Sequence, residues 1–374
     1  MRSTYDVILV GAGIVGAACA LECVREGMSV AVVERDVIGG GATAAGMGHI
    51  VVMDDSPAQL ALTLYSQQLW NELAPQLPLD VEYEATGTIW IATDASEMGE
   101  IRRKQALYEA RGISVQVLDS QALREAEPNL HRDLTGGLLV SSDVVLYPPC
   151  AARYFLLEAE KGGAVIYRKR AVSMGRGSVR LDDGTTLASS RLVNATGAMA
   201  TDLTPGLNIR KRKGHLVITD RAPGFVSHQL VEVGYLRSAG SSSGNSVAFN
   251  VQPRKTGQLL IGSSRQYDAE GKQVDTPVLL EMMQRVQQYL PRVKDLQVIR
   301  TWTGFRAATP DKLPMIGPHP QDESLFLATG HEGLGITTSL ATAKLLMHTF
   351  TGAAVGIAPD PYLPSRLIVG THNA

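Results

Sequence analysis

The segment from Tyr5 to Glu34 constrains the fold more than any other part of the chain. Tyr5-Asp6-Val7-Ile8-Leu9-Val10 runs into Gly11-Ala12-Gly13-Ile14-Val15-Gly16, a helical stretch follows, and Val30-Ala31-Val32-Val33 ends on Glu34. A short apolar strand, a glycine-spaced turn, a helix and a second apolar strand make a βαβ unit, whose two strands must be parallel. Gly11 permits the tight turn, Gly13 lets the backbone approach a pyrophosphate, and Gly16 lets the helix pack closely on the strand. The helix N-terminus then offers free N–H groups and a positive dipole end to phosphates. Glu34 closes the second strand, where a carboxylate accepts hydrogen bonds from ribose hydroxyls and repels a 2′-phosphate. The segment therefore predicts a dinucleotide site and leaves open which dinucleotide occupies it.

At 374 residues the chain exceeds the usual size of a single core, so two domains are expected. An apolar fraction of 44% with 19% charged residues is that of a globular enzyme, and a net charge of −2 provides no attraction for nucleic acid or an anionic lipid surface. No apolar run reaches the roughly 20 residues of a membrane span, and no cleavage-like signal follows the first strand. A cytoplasmic location is expected. Cys19, Cys23 and Cys150 are too few for a disulfide framework, and Cys19 and Cys23, one helical turn apart, read as small packing residues.

Beyond Glu34, the run Gly39-Gly40-Gly41-Ala42-Thr43-Ala44-Ala45-Gly46-Met47-Gly48-His49 is too poor in side chains to build a core and suits close backbone approach to a ligand. Helices are expected from about Ala58 to Leu73, Glu97 to Arg111, Ser120 to Glu127, Ala151 to Gly162 and Thr276 to Tyr289, and strands at Thr88–Ala92 and Ala164–Tyr167. Arg191 to Gly197 reads as a buried strand ending in a small turn, with Gly197 near a ligand. From about Lys213 to Arg265, short strands alternate with turns, an antiparallel pattern that includes a mobile loop at Ser238–Gly244. A short apolar strand is expected at Leu363–Val369.

Near the C-terminus, Trp302-Thr303-Gly304-Phe305-Arg306-Ala307-Ala308-Thr309-Pro310-Asp311 is followed by Ala328-Thr329-Gly330-His331-Glu332-Gly333-Leu334-Gly335-Ile336-Thr337 and then a helix through Ala341 to Phe350. This is a second strand, glycine turn and helix N-terminus. With the N-terminal fingerprint, the Ala42–Gly48 run and the Asn194-Ala195-Thr196-Gly197 turn, these blocks occur in an order that resembles the FAD-dependent D-amino-acid oxidase superfamily. That superfamily includes glycine oxidase, sarcosine oxidase and the flavin subunits of D-hydroxyproline and opine dehydrogenases.

The resemblance spans essentially the whole chain. It implies an α/β fold, with a Rossmann-like FAD-binding domain of the glutathione-reductase type (1–85, 145–212 and 292–374) and an inserted antiparallel-sheet substrate domain (86–144 and 213–291). It implies FAD rather than NAD. Ile14, Val15, Glu34, Arg35, Ala42, Thr43, Met47, Gly48 and His49 would line the flavin nucleotide, Val172 its adenine end, and Gly333, Leu334, Gly335, Ile336, Thr337 and Thr338 the isoalloxazine. No cysteine follows Cys150, so a C-terminal cysteine tether is absent and the FAD is expected to be non-covalent.

The resemblance places a substrate-carboxylate anchor on Arg306, and a planar guanidinium suits that task because it offers two parallel donors. Gly333 would lie beside the substrate. His49 and His331 are expected near the flavin, either tuning its electrostatics or making structural hydrogen bonds, with His49 also beside the substrate, and Glu332 either binds a cationic substrate nitrogen or caps a turn. Oxidation of an amine at its α-carbon needs position and electrostatics more than an acid–base pair.

In glycine oxidase a tyrosine precedes a Pro-Arg-Lys segment, whereas here Phe249-Asn250-Val251-Gln252 precedes Pro253-Arg254-Lys255. The stretches Gly46–Pro57 and His331–Gly335 look more like the D-hydroxyproline dehydrogenase group. The resemblance therefore implies oxidation of cis-4-hydroxy-D-proline to a cyclic imine, with electrons passed to an acceptor other than NAD, such as the respiratory chain or a partner subunit. Peripheral association with the inner membrane through that acceptor is compatible with this. Two alternatives remain open: a glycine, sarcosine or D-amino-acid oxidase that makes peroxide, and a flavin subunit active only within a heteromer.

Overall fold

Two sheets carry the chain. They are seen in a computed structural model that describes residues 3–234, 245–267 and 269–368. The first has six strands. Val165–Tyr167, Val30–Val33, Val7–Val10, Leu192–Asn194 and Asp322–Thr329 run parallel in that order, and Met315–His319 closes the edge antiparallel. Val7–Val10 and Val30–Val33 are apolar at every position because both faces are covered. Val7, Leu9, Val30 and Val32 pack with the helices Ile14–Arg25, Pro148–Lys161 and Ser339–Thr351. Ile8, Val10, Ala31 and Val33 meet Val179, Leu181 and Leu187 of a three-stranded antiparallel meander, Ala171–Gly175, Ser178–Leu181 and Thr186–Ala188.

Cys19 and Cys23 are buried in the first helix, and the Cys23 thiol, pushed up to about 12 by burial, donates to Met347 Sδ at 3.7 Å. Both are packing residues, as their helical spacing indicated.

The second sheet has eight strands in the order Val298–Ala308, Arg210–Arg221, Gln258–Arg265, Ser246–Pro253, Gln229–Glu232, Thr88–Ala92, Gly136–Val140 and Val115–Asp119. All neighbours are antiparallel except Gln229–Glu232 with Thr88–Ala92, where distant parts of the chain meet in parallel. One face is apolar. Ile89, Ile91, Val217, Leu230, Phe249, Val251 and Ile261 pack on Met282, Val286 and Tyr289 of the helix Thr276–Tyr289, with Phe249 stacked on Tyr289 at 4.3 Å between centroids. The period-2 alternation of the strands turns Thr88, Trp90 and Asn250 to the opposite face, toward the first sheet.

Most expected elements are present, with boundaries shifted by a few residues. The helices span Pro57–Leu73, Ala95–Glu109, Ser120–Ala126, Pro148–Lys161 and Thr276–Tyr289. Two expectations differ. Val298–Ala308, expected within the nucleotide unit, pairs with Arg210–Arg221 over nearly its whole length, from Arg210 opposite Ala308 to Thr219 opposite Val298. By sheet membership, 298–308 and 210–212 go with the substrate-side sheet, because a long ladder outweighs proximity in sequence.

The strand expected at Leu363–Val369 is replaced, within the described residues, by 3₁₀ turns at Asp360–Tyr362 and Pro364–Arg366. Pro364 lacks the N–H a strand would use. Arg366 holds the turn by donating to the carbonyls of Leu363 and Leu313 and to Asp311. The loop expected at Ser238–Gly244 lies outside the described residues.

Candidate functional site

A cavity of about 970 Å³ lies between the two sheets, and both glycine turns open onto it. At its first end Gly11 has φ of +105°, and a Cβ there would stand 2.6 Å from the Ala195 carbonyl oxygen. A Cβ on Gly16 would stand 2.0 Å from the Gly11 carbonyl oxygen, so this glycine sets how closely helix and strand approach and does not itself line the cavity. Gly13 does line it, and an added Cβ would meet only the Thr43 hydroxyl at 3.4 Å.

No side chain caps the helix that begins at Ile14 from within, and its first turn holds no acid. Thr43 Oγ1 accepts the Ile14 N–H at 3.0 Å, which docks the small-residue run on the helix start. The rest of that N-terminus faces the cavity, the arrangement a pyrophosphate requires.

Glu34 lies on the wall, where Oε2 accepts the Ala12 N–H at 2.7 Å and Oε1 accepts the Asp36 N–H at 2.9 Å. These bonds orient the carboxylate and leave it lone pairs for hydroxyl donors. Arg35 and Val172 line the same end, both about two-fifths exposed, so this end is the more open.

Further along, Ala42, Met47, Gly48 and His49 form one wall and Gly197 another. Gly48, at φ +90°, could not carry a Cβ without meeting the Leu146 carbonyl oxygen at 1.9 Å. Gly304 has the same kind of role, since its missing Cβ would lie 2.2 Å from the Ala45 Cβ, and Trp302 Nε1 donates to the Ala44 carbonyl at 3.2 Å. The small-residue run is therefore clamped between the first helix and the edge strand of the larger sheet.

The second turn closes the far end. Gly333, Leu334, Gly335 and Ile336 line the cavity, and the Cβ position of Gly335 lies 3.7 Å from Val15, so the two turns touch. Thr337 and Thr338, expected against the isoalloxazine, instead stand behind this wall. Their hydroxyls donate to the His49 and Leu334 carbonyls, at 2.7 and 2.8 Å, and both residues are 1% exposed.

Arg306 projects into the cavity from the strand Val298–Ala308 and lies flat over Gly214, where an added Cβ would meet its Nη1 at 2.5 Å. Gly333 flanks the guanidinium on another side, its Cβ position 3.6 Å from Nε, and Nη1 donates to the Ser264 carbonyl at 2.9 Å. Ser264 is itself held by His215. The Asp275 N–H donates to His215 Nε2 at 2.9 Å, so the ring proton sits on Nδ1 and donates to Ser264 Oγ at 2.8 Å. Burial lowers the His215 pKa and keeps that ring neutral.

Glu332 does not present a free carboxylate to a substrate nitrogen. Its side chain pairs with Arg212, which also donates to Tyr267 at 3.1 Å, and both partners of the pair are nearly buried. Its left-handed backbone, φ 53°, makes the turn, and its N–H donates to the Ala307 carbonyl.

His49 and His331 are both brought to the cavity wall, yet their rings are engaged elsewhere. His49 Nε2 bonds Thr88 Oγ1 at 2.7 Å, and His331 Nε2 donates to Thr342 Oγ1 at 2.9 Å, since the Thr342 proton goes to the Thr338 carbonyl. Burial pushes each down to about 3, so both are neutral at physiological pH.

Several cavity residues were not legible beforehand: Arg212, Gly214 and His215 on one strand, Trp90 on another, and Ser263 and Arg265 on a third. The available signal was a polar residue at an inward position of an otherwise apolar strand, as with Asn250 in Val247-Ala248-Phe249-Asn250-Val251.

Among known proteins, a family model described as DAO, FAD dependent oxidoreductase, matches residues 6–349. The chain belongs to that family. Its members depend on FAD, and the cavity described above fits one. A helix N-terminus facing the cavity for phosphates, an oriented Glu34 for a ribose and a long lumen ending at a second glycine turn are all present.

The chain is 28% identical over 362 residues to a glycine oxidase of Geobacillus kaustophilus, covering 92% of this chain and 93% of that protein. It is 26% identical to the hydrogen cyanide synthase subunit HcnC of Pseudomonas aeruginosa, covering 98% of this chain and 97% of that one. Among solved structures, the Geobacillus kaustophilus glycine oxidase superposes with a TM-score of 0.87 at 25% identity, covering 98% of this chain and 99% of that chain. An L-proline dehydrogenase of P. horikoshii superposes with the same score at 21% identity, covering 98% of each, which is a likeness of fold. Like these relatives, the chain is an FAD-dependent enzyme that oxidises amino acids at the carbon–nitrogen bond. Among the described residues no helix is long and apolar enough to cross a membrane.

Proposed function

We propose that the chain is an FAD-dependent dehydrogenase of a cyclic D-imino acid, with cis-4-hydroxy-D-proline as substrate and 1-pyrroline-4-hydroxy-2-carboxylate as product. The observation that carries the reading is the Arg306 guanidinium, held flat by Gly214 and Gly333 in the same cavity as the two glycine turns. A fork fixed in this way receives a carboxylate through two parallel bonds and so fixes the adjacent α-carbon. Bound FAD would supply a two-electron acceptor for the α-hydrogen and its electron pair.

The chain's own residues would do the positioning. Gly11, Gly13, Ile14, Val15 and Glu34 would hold the pyrophosphate and ribose. Arg35 and Val172 would border the adenine end. Ala42, Thr43, Met47, Gly48, His49 and Gly197 would line the middle, and Gly333 to Ile336 the ring. Thr337 and Thr338 would brace that turn from behind. Neutral His49 and His331 would add no positive charge beside the ring. Amine oxidation at the α-carbon draws on an unprotonated nitrogen and a well-placed C–H, so the chain's contribution is position and electrostatics.

A cyclic rather than a minimal substrate is supported by Asn250, whose short side chain stands on the cavity wall just before Pro253-Arg254-Lys255 and leaves room for a ring. Glycine oxidation with peroxide release is a second reading, favoured by the names of several relatives, glycine oxidases at 23–28% identity. Dependence on a partner subunit follows the name of the hydrogen cyanide synthase relative.

Anaerobic titration of the FAD-loaded chain separates these readings. Selective bleaching of the oxidised flavin band by cis-4-hydroxy-D-proline, over D-proline, glycine and sarcosine, supports the proposal. Bleaching by glycine or sarcosine alone transfers it to the oxidase reading. Bleaching by none points to a missing partner.

A further inference from the structure

One row of the larger sheet runs across four adjacent strands along the cavity. Trp90 stands opposite Val231, Val231 opposite Asn250, and Asn250 opposite Gly262. Residues paired in this way share a face, and Trp90, Val231 and Asn250 all line the cavity. The row ends against the small-residue run, because a Cβ on Gly262 would lie 3.1 Å from Met47 Sδ. It therefore begins where the expected flavin wall ends.

Buried polar groups in and beside this row are left unmet. Among the described residues, Trp90 is 1% exposed and its Nε1–H has no partner, and Ser263, next to Gly262 and also on the cavity wall, is 3% exposed and its Oγ has none. Asn250 Oδ1 accepts from the fully buried Gln229, so its amide is fixed and Nδ2 is left with no hydrogen bond among the described residues. Trp90 and Asn250 are two strand spacings apart, roughly 10 Å between backbones, and both line the same cavity. Buried donors without acceptors cost free energy, and the cost is recovered when a ligand brings an acceptor.

The donors are neutral. Indole N–H and amide N–H₂ offer nothing to a substrate ammonium, and neither carries the charge that a second carboxylate would need when desolvated. A hydroxyl oxygen suits them, since it has two lone pairs to accept with and a proton to give to Ser263 Oγ.

We infer that Trp90, Asn250 and Ser263 form a subsite for a hydroxyl group on the substrate ring, remote from the carboxylate held by Arg306, and that it selects a hydroxylated over an unsubstituted cyclic imino acid. The inference rests on the proposed substrate class and adds the residues that read its substituent. Sites built to bond a hydroxyl discriminate strongly against the analogue that lacks it, because their own groups are then left unpaired.

The test uses the FAD-loaded chain and compares kcat/KM for cis-4-hydroxy-D-proline and D-proline, with an artificial acceptor, in wild type, Trp90→Phe, Asn250→Ala and Ser263→Ala. Trp90→Phe keeps an aromatic ring and removes the N–H alone. The expected result is a preference for the hydroxylated substrate in wild type that falls about tenfold in Trp90→Phe and in Asn250→Ala, with less change in Ser263→Ala. The flavin spectrum and thermal midpoint of each variant report folding.

A wild type that prefers the hydroxylated ring, with the preference intact in folded Trp90→Phe and Asn250→Ala, overturns the subsite and leaves the substrate assignment standing. A wild type that oxidises neither ring overturns the substrate assignment and the subsite with it. Loss of bound FAD in folded variants overturns the subsite by assigning the row to the cofactor.

Discussion

Replacing Gly16 by alanine adds one methyl group, and its effect can be worked from the contacts. The new Cβ would stand 2.0 Å from the Gly11 carbonyl oxygen, 3.1 Å from the Gly11 carbonyl carbon and 3.3 Å from the Ala195 Cβ. The first two are backbone atoms of the turn that begins the βαβ unit, so no flexible side chain can yield, and the helix must back away by about 1 Å. Overpacking of this kind costs about 3 kcal/mol, the upper part of the usual range, against a gain of about 1 kcal/mol from alanine in a helix. The net loss is about 2 kcal/mol.

Gly99→Ala is the matched control. Gly99 also lies inside a helix, Ala95–Glu109, and a Cβ there meets nothing within 4 Å, so only the propensity gain of about 1 kcal/mol remains. Thermal unfolding of the FAD-free chain is expected to show Gly16→Ala melting about 4 °C lower and Gly99→Ala slightly higher than wild type. FAD titration is expected to show affinity lowered tenfold or more in Gly16→Ala alone, since the displaced helix start is the one that faces the phosphates. A Gly16→Ala chain that melts with wild type and binds FAD as tightly would refute the reasoning.

Arg306→Lys keeps the charge and loses the fork. About 3 kcal/mol of substrate binding and alignment is at stake, so kcat/KM is expected to fall roughly a hundredfold with FAD retained; a change under threefold would remove the anchor role. Asp143, buried beside Gln67 and the Val52 N–H, is raised from 3.8 to about 7 by desolvation. Its protonated form is favoured by folding, so its contribution is fully present below pH 4 and is lost as pH rises through 7, by at most about 4 kcal/mol. Chemical denaturation of Asp143→Asn across that window should show its stability rising relative to wild type from pH 4 to 7, and a flat difference would contradict the assignment.

Lys104 and Asp54 form an ion pair in which both side chains are at most 4% exposed. Lys104→Met leaves Asp54 buried and unpaired and should cost about 4 kcal/mol in denaturant unfolding, most of it restored by the double substitution with Asp54→Leu. Equal losses in single and double variants would show that the pair is not coupled.

What the chain spelled out locally was the cofactor end. Gly11, Gly13, Gly16 and Glu34 lie within a single βαβ unit, and a turn, a helix start and a strand end are set by residues that are neighbours in sequence. The steric limits at Gly11 and Gly16 hold whatever the rest of the molecule does. The alternation of apolar residues likewise set which face of each strand is buried. The substrate end is different. Arg306 is legible as a residue, but its orientation depends on Gly214, Ser264 and His215, and the pairing of Glu332 with Arg212 withdraws a carboxylate that the sequence left available. The row of Trp90, Val231 and Asn250 joins three strands separated by up to 160 positions, one pair of them parallel. Such rows are set by strand register, and a shift of one residue would turn every side chain to the other face. Only the closed sheet, with its full hydrogen-bond ladder and its apolar face on the helix Thr276–Tyr289, selects that register and so decides which polar groups meet a substrate.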